Sequence, residues 1–226
     1  MLKAVIFDFD GIIVDTEPIH YKAFQEILRP IGLAFSWNEY LEKYIGFDDR
    51  DAFREAFAGA GKRLDGEVLS DLINRKAEVF QEIVQKGVKP YQGVIELVQS
   101  ISGKLPVALC SGALQSDIEP ILAQFDLQEA FDAIVTANDV EASKPDPGSY
   151  LLALQRLDKA FPAAAIQPAE CIAIEDTPAG IKSAAGAGMN VLAVTNSYQA
   201  EYLEGALHVT DSLGKVTLEI LRSLLV

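Results

Sequence analysis

Two aspartates stand at the end of an apolar run near the start of the chain. The run Ala4–Phe7 leads into Asp8 and Asp10, and Gly11 follows. Burying a carboxylate without a partner is costly, and two like charges this close raise one pKa unless a cation lies between them. Residues two apart in an extended chain point to the same side. The spacing therefore favours a metal-assisted or acid–base site, with a strand end capped by two solvated aspartates as the alternative.

Composition indicates what kind of protein this is. The chain has 226 residues, half of them apolar, and a formal net charge of −14. These values fit a globular chain with either one sizeable core or a core domain and a smaller insert. The charge argues against general affinity for nucleic acid or anionic membranes. Cys110 and Cys171 match no zinc or disulfide spacing, so we expect buried, reduced thiols. Without a signal segment or a run long enough to span a membrane, we expect a soluble cytoplasmic protein.

Short apolar runs alternate with segments of helical periodicity along most of the chain. This alternation predicts an α/β fold, a Rossmann-like parallel sheet with helices on both faces. Open sheets of this kind bind ligands beyond the carboxyl ends of their strands. Helices are expected from about Val94, Ala113, Pro147, Pro178 and Gly214. The predicted strands are Lys3–Phe7, Leu105–Cys110, Ala133–Thr136, Cys171–Ile174, Asn190–Val194 and Leu207–Thr210.

One interval interrupts the alternation, because no strand pattern occurs between about Glu17 and Lys86. We predict an α-helical cap domain of residues 16–89, inserted into a core domain of residues 1–15 and 90–226. The two connections, Val14–Thr16 and Gly87–Pro90, would form a hinge, and the cap would close over the strand ends and exclude water. The helices predicted in this interval are His20–Leu28, Asn38–Tyr44, Asp51–Ala58 and Glu67–Gln85.

Polar side chains follow three further strands or loops of the predicted core. Ser111 follows the second strand, Lys144 lies before a helix, and Glu175 and Asp176 follow the fourth strand. Taken singly, each has a structural alternative: a turn or cap serine, a solvated lysine, and two acids at a helix N-terminus. In a parallel sheet they converge at one edge with the first two aspartates. Together they predict a single site.

This pattern resembles the haloacid dehalogenase superfamily, in its phosphatase and β-phosphoglucomutase-like branch with a small α-helical cap. The resemblance covers essentially the whole chain. The true dehalogenases of the superfamily lack the second acid of the first motif and need no metal, so Asp10 and the pair Glu175-Asp176 point away from dehalogenation. The motifs that carry the resemblance are Asp8–Glu17, Ser111, Lys144–Pro147 and Ile174–Gly180.

The resemblance implies roles for the residues at the strand ends. Asp8 is expected to be the nucleophile that becomes an aspartyl phosphate, and Asp10 the acid that protonates the leaving oxygen and then the base that activates water. The expected cofactor is Mg²⁺. Catalysis is assigned to Asp8, Asp10, Ser111 and Lys144. Metal binding is assigned to Asp8, the Asp10 backbone carbonyl, Asp176 and, directly or through water, Glu175. Phosphate binding is assigned to Ser111, Gly112 and Lys144.

Three residues of the predicted cap are candidate substrate contacts. His20 lies near the cap entry, although an ordinary helix residue is the alternative. Lys76 matches a basic position in the cap of the mutase, with a solvated helix face as the alternative. Arg50 lies in a segment that resembles the substrate loop, but the mutase pattern has its arginine where Asp49 stands. That arginine holds the second phosphate of a bisphosphate, so its displacement weakens a mutase assignment.

The function expected from these residues is Mg²⁺-dependent hydrolysis of a small phosphorylated metabolite, a sugar phosphate or similar. The expected partner is that metabolite alone, and the protein is expected to be a monomer or a small homo-oligomer. One alternative is a β-phosphoglucomutase-type enzyme with the same core residues. Another is a non-catalytic binding protein on the same fold. That alternative predicts the loss of an acid or of the lysine, yet all are present.

Overall fold

A parallel six-stranded sheet forms the centre of the larger part of the chain. The computed structural model describes residues 1–45 and 47–225. Within them the strand order is β3-β2-β1-β4-β5-β6, so β1 lies near the middle of the sheet. The strands are β1 (Ala4–Phe7), β2 (Val107–Cys110), β3 (Ala133–Val135), β4 (Cys171–Glu175), β5 (Asn190–Val194) and β6 (His208–Thr210).

The helices fall into two groups. Those from α5 onward alternate with the strands, and those up to α4 lie between β1 and α5. We call the second group, residues 17–84, the helical insert. In chain order the helices are α1 (Glu17–Leu28), α2 (Trp37–Glu39), α3 (Asp49–Gly59), α4 (Gly66–Val84), α5 (Val94–Ile101), α6 (Gln115–Gln124), α7 (Gly148–Ala160), α8 (Pro178–Gly186) and α9 (Leu218–Ser223).

Alternation along β1 builds a core on each face of the sheet. Val5 and Phe7 pack in one apolar cluster with α5 and α6. Ala4 and Ile6 pack in another with α7 and α8. Side chains on a strand alternate between the two faces, and a parallel sheet buried on both sides therefore reads as a continuous apolar run. The α/β prediction is confirmed, with helices covering both faces.

The helical insert has an apolar cluster of its own. Phe24 and Leu28 of α1 meet Phe53 of α3 and Leu72 of α4 in this cluster. The two chain connections to the sheet lie side by side. Val14 forms an isolated bridge with Pro90, and the Tyr91 N–H donates to the Ile13 carbonyl at 3.1 Å. The insert therefore leaves and rejoins the core at one place.

The strand predictions match the structure to within two residues at each end, whereas two helix predictions need correction. The segment Asn38–Tyr44 is not one α-helix, because the short α2 passes into a wider π-helical turn at Tyr40–Tyr44. The helix expected from Gly214 begins only at Leu218, after a 3₁₀ turn. Within the described ranges, none of the helices combines the length and apolar character that crossing a membrane requires.

Candidate active site

Three carboxylates meet at the carboxyl ends of β1 and β4. The two strands are neighbours with Phe7 opposite Ile174, so Asp8 lies beside Glu175 and Asp176. One ligand atom from each of the three acids can be chosen such that all lie within 4.8 Å of one another. Buried carboxylate oxygens at this spacing suit a hard divalent cation. Oδ1 of Asp176 is buried without a hydrogen-bond partner among the described residues, as expected of a ligand atom.

Lys144 lies within this acidic cluster and is not a surface lysine. Its ammonium group donates to Asp8 Oδ1 at 2.6 Å, to Glu175 Oε1 at 2.8 Å and to the Cys110 carbonyl at 3.1 Å. Burial alone would lower the pKa of Lys144, but the charges of Asp8 and Glu175 outweigh it and raise that pKa well above its usual value. The lysine is therefore held as a cation at the strand ends.

One lysine does not balance three acids. Burial, reinforced by the charges of Glu175 and Asp10, raises the pKa of Asp8 to about 8 even though Lys144 opposes the shift. Burial and the charges of Asp8 and Glu175 likewise raise the pKa of Asp176 well above its usual value. Both shifts report excess negative charge in a dry environment. A divalent cation among the three acids would relieve this repulsion.

Two glycines give the carboxylates room. Gly11 has a φ of +81°, and a Cβ atom there would lie 1.8 Å from Oδ2 of Asp176. A Cβ atom on Gly180 would lie 1.9 Å from Oε1 of Glu175. Neither position can carry a side chain unless an acid moves. Gly11 lies in the motif Asp8–Glu17 and Gly180 in the motif Ile174–Gly180. The close approach of a carboxylate explains why each motif has a glycine at that position.

Asp10 lies outside the three-carboxylate cluster and has different partners. Its Oδ1 accepts from the Thr16 hydroxyl and lies 3.3 Å from Nε2 of His20. Its Oδ2 lies 3.5 Å from the Ser111 hydroxyl. Burial would raise the pKa of Asp10, but the hydrogen bond and charge of His20, together with the Thr16 hydroxyl, lower it overall. The pKa values of Asp8 and Asp10 are thus shifted in opposite directions.

Ser111 and Gly112 follow β2 on the same edge of the sheet. The Ser111 side chain accepts from the Ala113 N–H at 2.9 Å, so it also serves the turn, as the structural alternative predicted. Gly112 lines the same cavity as Asp8 and Lys144. Of the residues singled out from the sequence, Asp8, Asp10, Gly112 and Lys144 therefore line one cavity. Ser111 and Glu175 do not line it but contact Asp10 and Lys144, which do.

This space is a small cavity of about 60 Å³ between the strand ends and the helical insert. The core contributes Asp8 and Asp10, which follow β1, together with Gly112 and Lys144. The insert contributes acids, aromatic rings and a histidine. The residues of the insert that line the cavity are Glu17, His20, Phe24, Tyr40, Phe47, Asp48 and Asp49.

The three cap candidates have different environments. His20 lines the cavity. Lys76 is fully buried behind it, 2.6 Å from His20 Nδ1 and 2.7 Å from Asp49 Oδ1, so the solvated helix face is wrong for Lys76. Arg50 is not among the residues lining the cavity. It donates to Asp48 Oδ2 at 2.6 and 2.8 Å and to the Val140 carbonyl at 3.0 Å.

The sequence matches a known protein family and named relatives. The model of the haloacid dehalogenase-like hydrolase family matches residues 5–194. The chain belongs to this family. It is 32% identical over 190 residues to fructose-1-phosphate phosphatase YqaB of Escherichia coli K12, an alignment that covers 84% of this chain and 95% of that protein. It is 30% identical over 226 residues to β-phosphoglucomutase of Bacillus subtilis 168, covering 97% and 94%.

A solved structure shares the fold of this haloacid dehalogenase-like hydrolase. CbbY from Rhodobacter sphaeroides, crystallised in complex with phosphate, superposes with a TM-score of 0.86. The match is 24% identical in sequence and covers 98% of this chain and all of that one. The Rossmann-like sheet with an inserted helical segment is therefore a known architecture.

Sequence reasoning missed two residues that contact the acids of this haloacid dehalogenase-like hydrolase. The Tyr150 hydroxyl donates to Glu175 Oε1 at 2.8 Å, and the Ser197 hydroxyl donates to Asp176 Oδ2. Ser197 follows β5, and the rule that polar residues past a strand end face the site would have found it. Tyr150 lies within α7, where an aromatic residue reads as core.

Proposed function

We propose that this chain is a Mg²⁺-dependent phosphohydrolase that cleaves a small phosphorylated metabolite, a sugar phosphate or similar, through an aspartyl phosphate. One observation carries the proposal. Asp8, Glu175 and Asp176 each offer a carboxylate oxygen within 4.8 Å of the other two, and Lys144 donates hydrogen bonds to Asp8 and Glu175. Phosphoryl transfer requires this combination of an anionic nucleophile with fixed positive charge. The Escherichia coli relative, named a fructose-1-phosphate phosphatase, supports it.

In the first half of the reaction, a carboxylate oxygen of Asp8 attacks phosphorus. The bond from phosphorus to the substrate oxygen breaks, and Asp10 gives that oxygen its proton. Lys144, Ser111 and the backbone at Gly112 hold the remaining phosphoryl oxygens. Asp10 must be protonated for this step, and the approach of a dianionic phosphoryl group favours its neutral form.

In the second half, Asp10 takes a proton from water, and the water oxygen attacks phosphorus. The bond between phosphorus and the Asp8 oxygen breaks, which releases inorganic phosphate and restores the carboxylate of Asp8. The hydrogen bonds from Thr16 and His20 favour the ionised form of Asp10 that a base requires. The two halves thus use Asp10 in both protonation states.

The residues that would hold Mg²⁺ are Asp8, Asp176, the Asp10 backbone carbonyl and Glu175, the last directly or through water. Bound there, the ion would offset the repulsion between an anionic nucleophile and an anionic phosphate. We expect Mg²⁺ in place of a softer metal, because the cluster offers only oxygen ligands.

We also propose a division into a core domain of residues 1–15 and 90–226 and a cap domain of residues 16–89. The bridge between Val14 and Pro90 supports a hinge at the two connections. Such a cap would open to admit substrate and close to exclude water. We infer a monomer or small homo-oligomer in the cytoplasm, where the buried free thiols of Cys110 and Cys171 would remain reduced.

Hydrolysis is favoured over mutase chemistry by the environment of Asp49 and Arg50. A carboxylate lines the cavity at position 49, and Arg50 is engaged by Asp48 and Val140. Product analysis with β-glucose 1-phosphate and a trace of β-glucose 1,6-bisphosphate separates the two functions. We expect inorganic phosphate, whereas glucose 6-phosphate would support the mutase.

The proposed function as a whole is tested with a panel of phosphorylated metabolites and p-nitrophenyl phosphate. Phosphate release is measured with Mg²⁺ and again with excess EDTA. We expect turnover of at least one sugar phosphate that EDTA abolishes and renewed Mg²⁺ restores. Metal-independent turnover, or release from none of the compounds, would contradict the proposal.

A further inference from the structure

The wall that the helical insert presents to the cavity is acidic. Glu17, Asp48 and Asp49 all line it, opposite Lys144 of the core. Within residues 1–45 and 47–225, the lining includes no lysine or arginine from the insert. The part of a substrate that lies beyond its reacting phosphate therefore meets three carboxylates, together with the aromatic rings and the histidine of the insert.

The two cations nearest to this wall are already engaged. Arg50 pairs with Asp48 and reaches the Val140 carbonyl. Lys76 pairs with Asp49 and donates to His20. In the arrangement that satisfies these contacts, Nδ1 of His20 accepts from Lys76, and Nε2–H donates to Asp10. Neither cation is available to bind a second anionic group of a substrate.

Asp49 differs from the other acids of this wall because one of its oxygens is buried and has no hydrogen-bond partner among the described residues. Oδ1 pairs with Lys76 at 2.7 Å, whereas Oδ2 is buried and accepts no hydrogen bond from the described residues. By contrast, Asp48 accepts from Arg50 and from the Asp51 N–H, and Glu17 accepts from the Tyr40 hydroxyl. A buried acceptor in this state is costly unless a donor reaches it.

We propose that Asp49 determines substrate specificity by accepting a hydrogen bond from a hydroxyl of the bound substrate and by repelling a second phosphate. The substrate class is then the monophosphate of a neutral polyhydroxy compound, and bisphosphates are rejected. This inference rests on the proposed function, since it concerns the leaving group of the same reaction. It combines an attractive and a repulsive element, as specific sites commonly do.

The test compares fructose 1-phosphate with fructose 1,6-bisphosphate, which share one phosphate position and differ in the second. For the wild type we expect kcat/KM for phosphate release to be at least about 30-fold higher for the monophosphate. Asp49→Asn should lower the monophosphate value about tenfold and bring the ratio to within about threefold. Because both substrates are assayed on one preparation, any inactive protein cancels in the ratio.

The matched control is Asp71→Asn, which removes one negative charge from an exposed position on α4, where Asp71 pairs with Arg75. Its ratio should equal that of the wild type. If Asp49→Asn does not fold, because Lys76 has lost its carboxylate, the wild-type ratio decides, and the double variant Asp49→Asn/Lys76→Met removes the unpaired charge.

A wild-type ratio below about threefold, or a ratio that Asp49→Asn leaves unchanged, would overturn the inference. Mg²⁺-dependent release from p-nitrophenyl phosphate would in that case leave the proposed function intact. Release from none of the three compounds would overturn the proposed function and this inference together.

Discussion

At Asp8, Glu175 and Asp176, three buried carboxylates share one lysine. The raised pKa values of Asp8 and Asp176 follow from burial and from mutual repulsion. Natural proteins keep such an arrangement where a cation or a reaction makes use of it. Gly11 and Gly180 are part of the same arrangement, because a side chain at either position would displace an acid.

Gly180→Ala tests this residue-scale argument. The new Cβ atom would force Glu175 away from Lys144 and Tyr150, since it would lie 1.9 Å from the carboxylate oxygen. We expect kcat/KM to fall about 100-fold, the scale of a misplacement of about 1 Å. The control is Gly186→Ala in the same helix, where a Cβ atom would lie 3.4 Å from Cβ of Pro147. Equal activity in the two variants would refute the argument.

Parts of the site could be read from residue types alone, and others could not. Asp8 and Asp10 were predictable because they end an apolar run. Burying a carboxylate is costly unless a cation or a reaction makes use of its charge. For Lys76 the motif comparison allows either a substrate contact or a solvated helix face. Yet it lies four residues from both Leu72 and Phe80, which are buried. That spacing places it on the buried stripe of α4, a signal available in the sequence.

At the scale of elements, the parallel sheet does the positioning. Residues 8, 111 and 175 come from separate parts of the chain and meet because β2, β1 and β4 are adjacent. This convergence was predictable from the alternation of strands and helices. The path of the loop that carries Lys144 was not, since no periodicity marks it. Nor was the direction of Arg50, which depends on contacts between the helical insert and the core.

Contacts between α3 and the core loop lead to an element-scale prediction. Arg50 donates to the Val140 carbonyl at 3.0 Å, and Ser143 donates to Asp51. Arg50→Ala should lower kcat/KM about fivefold to tenfold, the effect of one lost charged hydrogen bond that holds the insert over the cavity. Steady-state kinetics measures this. Arg54→Ala, which removes an exposed arginine from the same helix, should change little, and equal effects of the two variants would contradict the prediction.

At the scale of the whole molecule, the acidic balance of the chain agrees with a small anionic ligand held by local charge. The formal net charge of −14 does not draw phosphate to the surface. Attraction must come from Lys144 and from the cation that the carboxylates would bind. The insert was predictable as a helical segment, because it lacks strand patterns over about 70 residues. Its own acidic lining was not, because it depends on which faces of the helices meet the core.

Asp117 gives a prediction about global stability and pH. This acid of α6 is buried, and burial raises its pKa to about 6 although Lys76 and His20 oppose the shift. Because the pKa of Asp117 is higher in the folded than in the unfolded protein, its protonated form stabilises the fold at low pH. This stabilisation is lost as the pH rises through about 6. Relative to wild type, Asp117→Asn should therefore gain about 2 kcal/mol in unfolding free energy between pH 4 and pH 7.5.

Urea unfolding of both proteins at the two pH values measures this difference. The N-terminus of α6 lies near Asp117 and favours its charged form. The expected difference in unfolding free energy is therefore smaller than burial alone would give. The control is Glu119→Gln on the same helix. Glu119 is exposed and accepts a hydrogen bond from the Gln115 side chain, and its substitution should give no such gain. A pH-independent difference between Asp117→Asn and wild type would be evidence against the raised pKa.

If Asp8 forms the covalent bond to phosphorus, the Asp8→Asn variant lacks the nucleophile of the reaction. Mg²⁺-dependent phosphate release is measured for the variant and the wild type, together with the unfolding midpoint of each. We expect kcat/KM to fall at least about 1,000-fold. The midpoint should stay within about 5 °C, because Lys144 keeps its bond to Glu175. If the folded variant turned over substrate within about tenfold of the wild-type rate, Asp8 would not be the nucleophile.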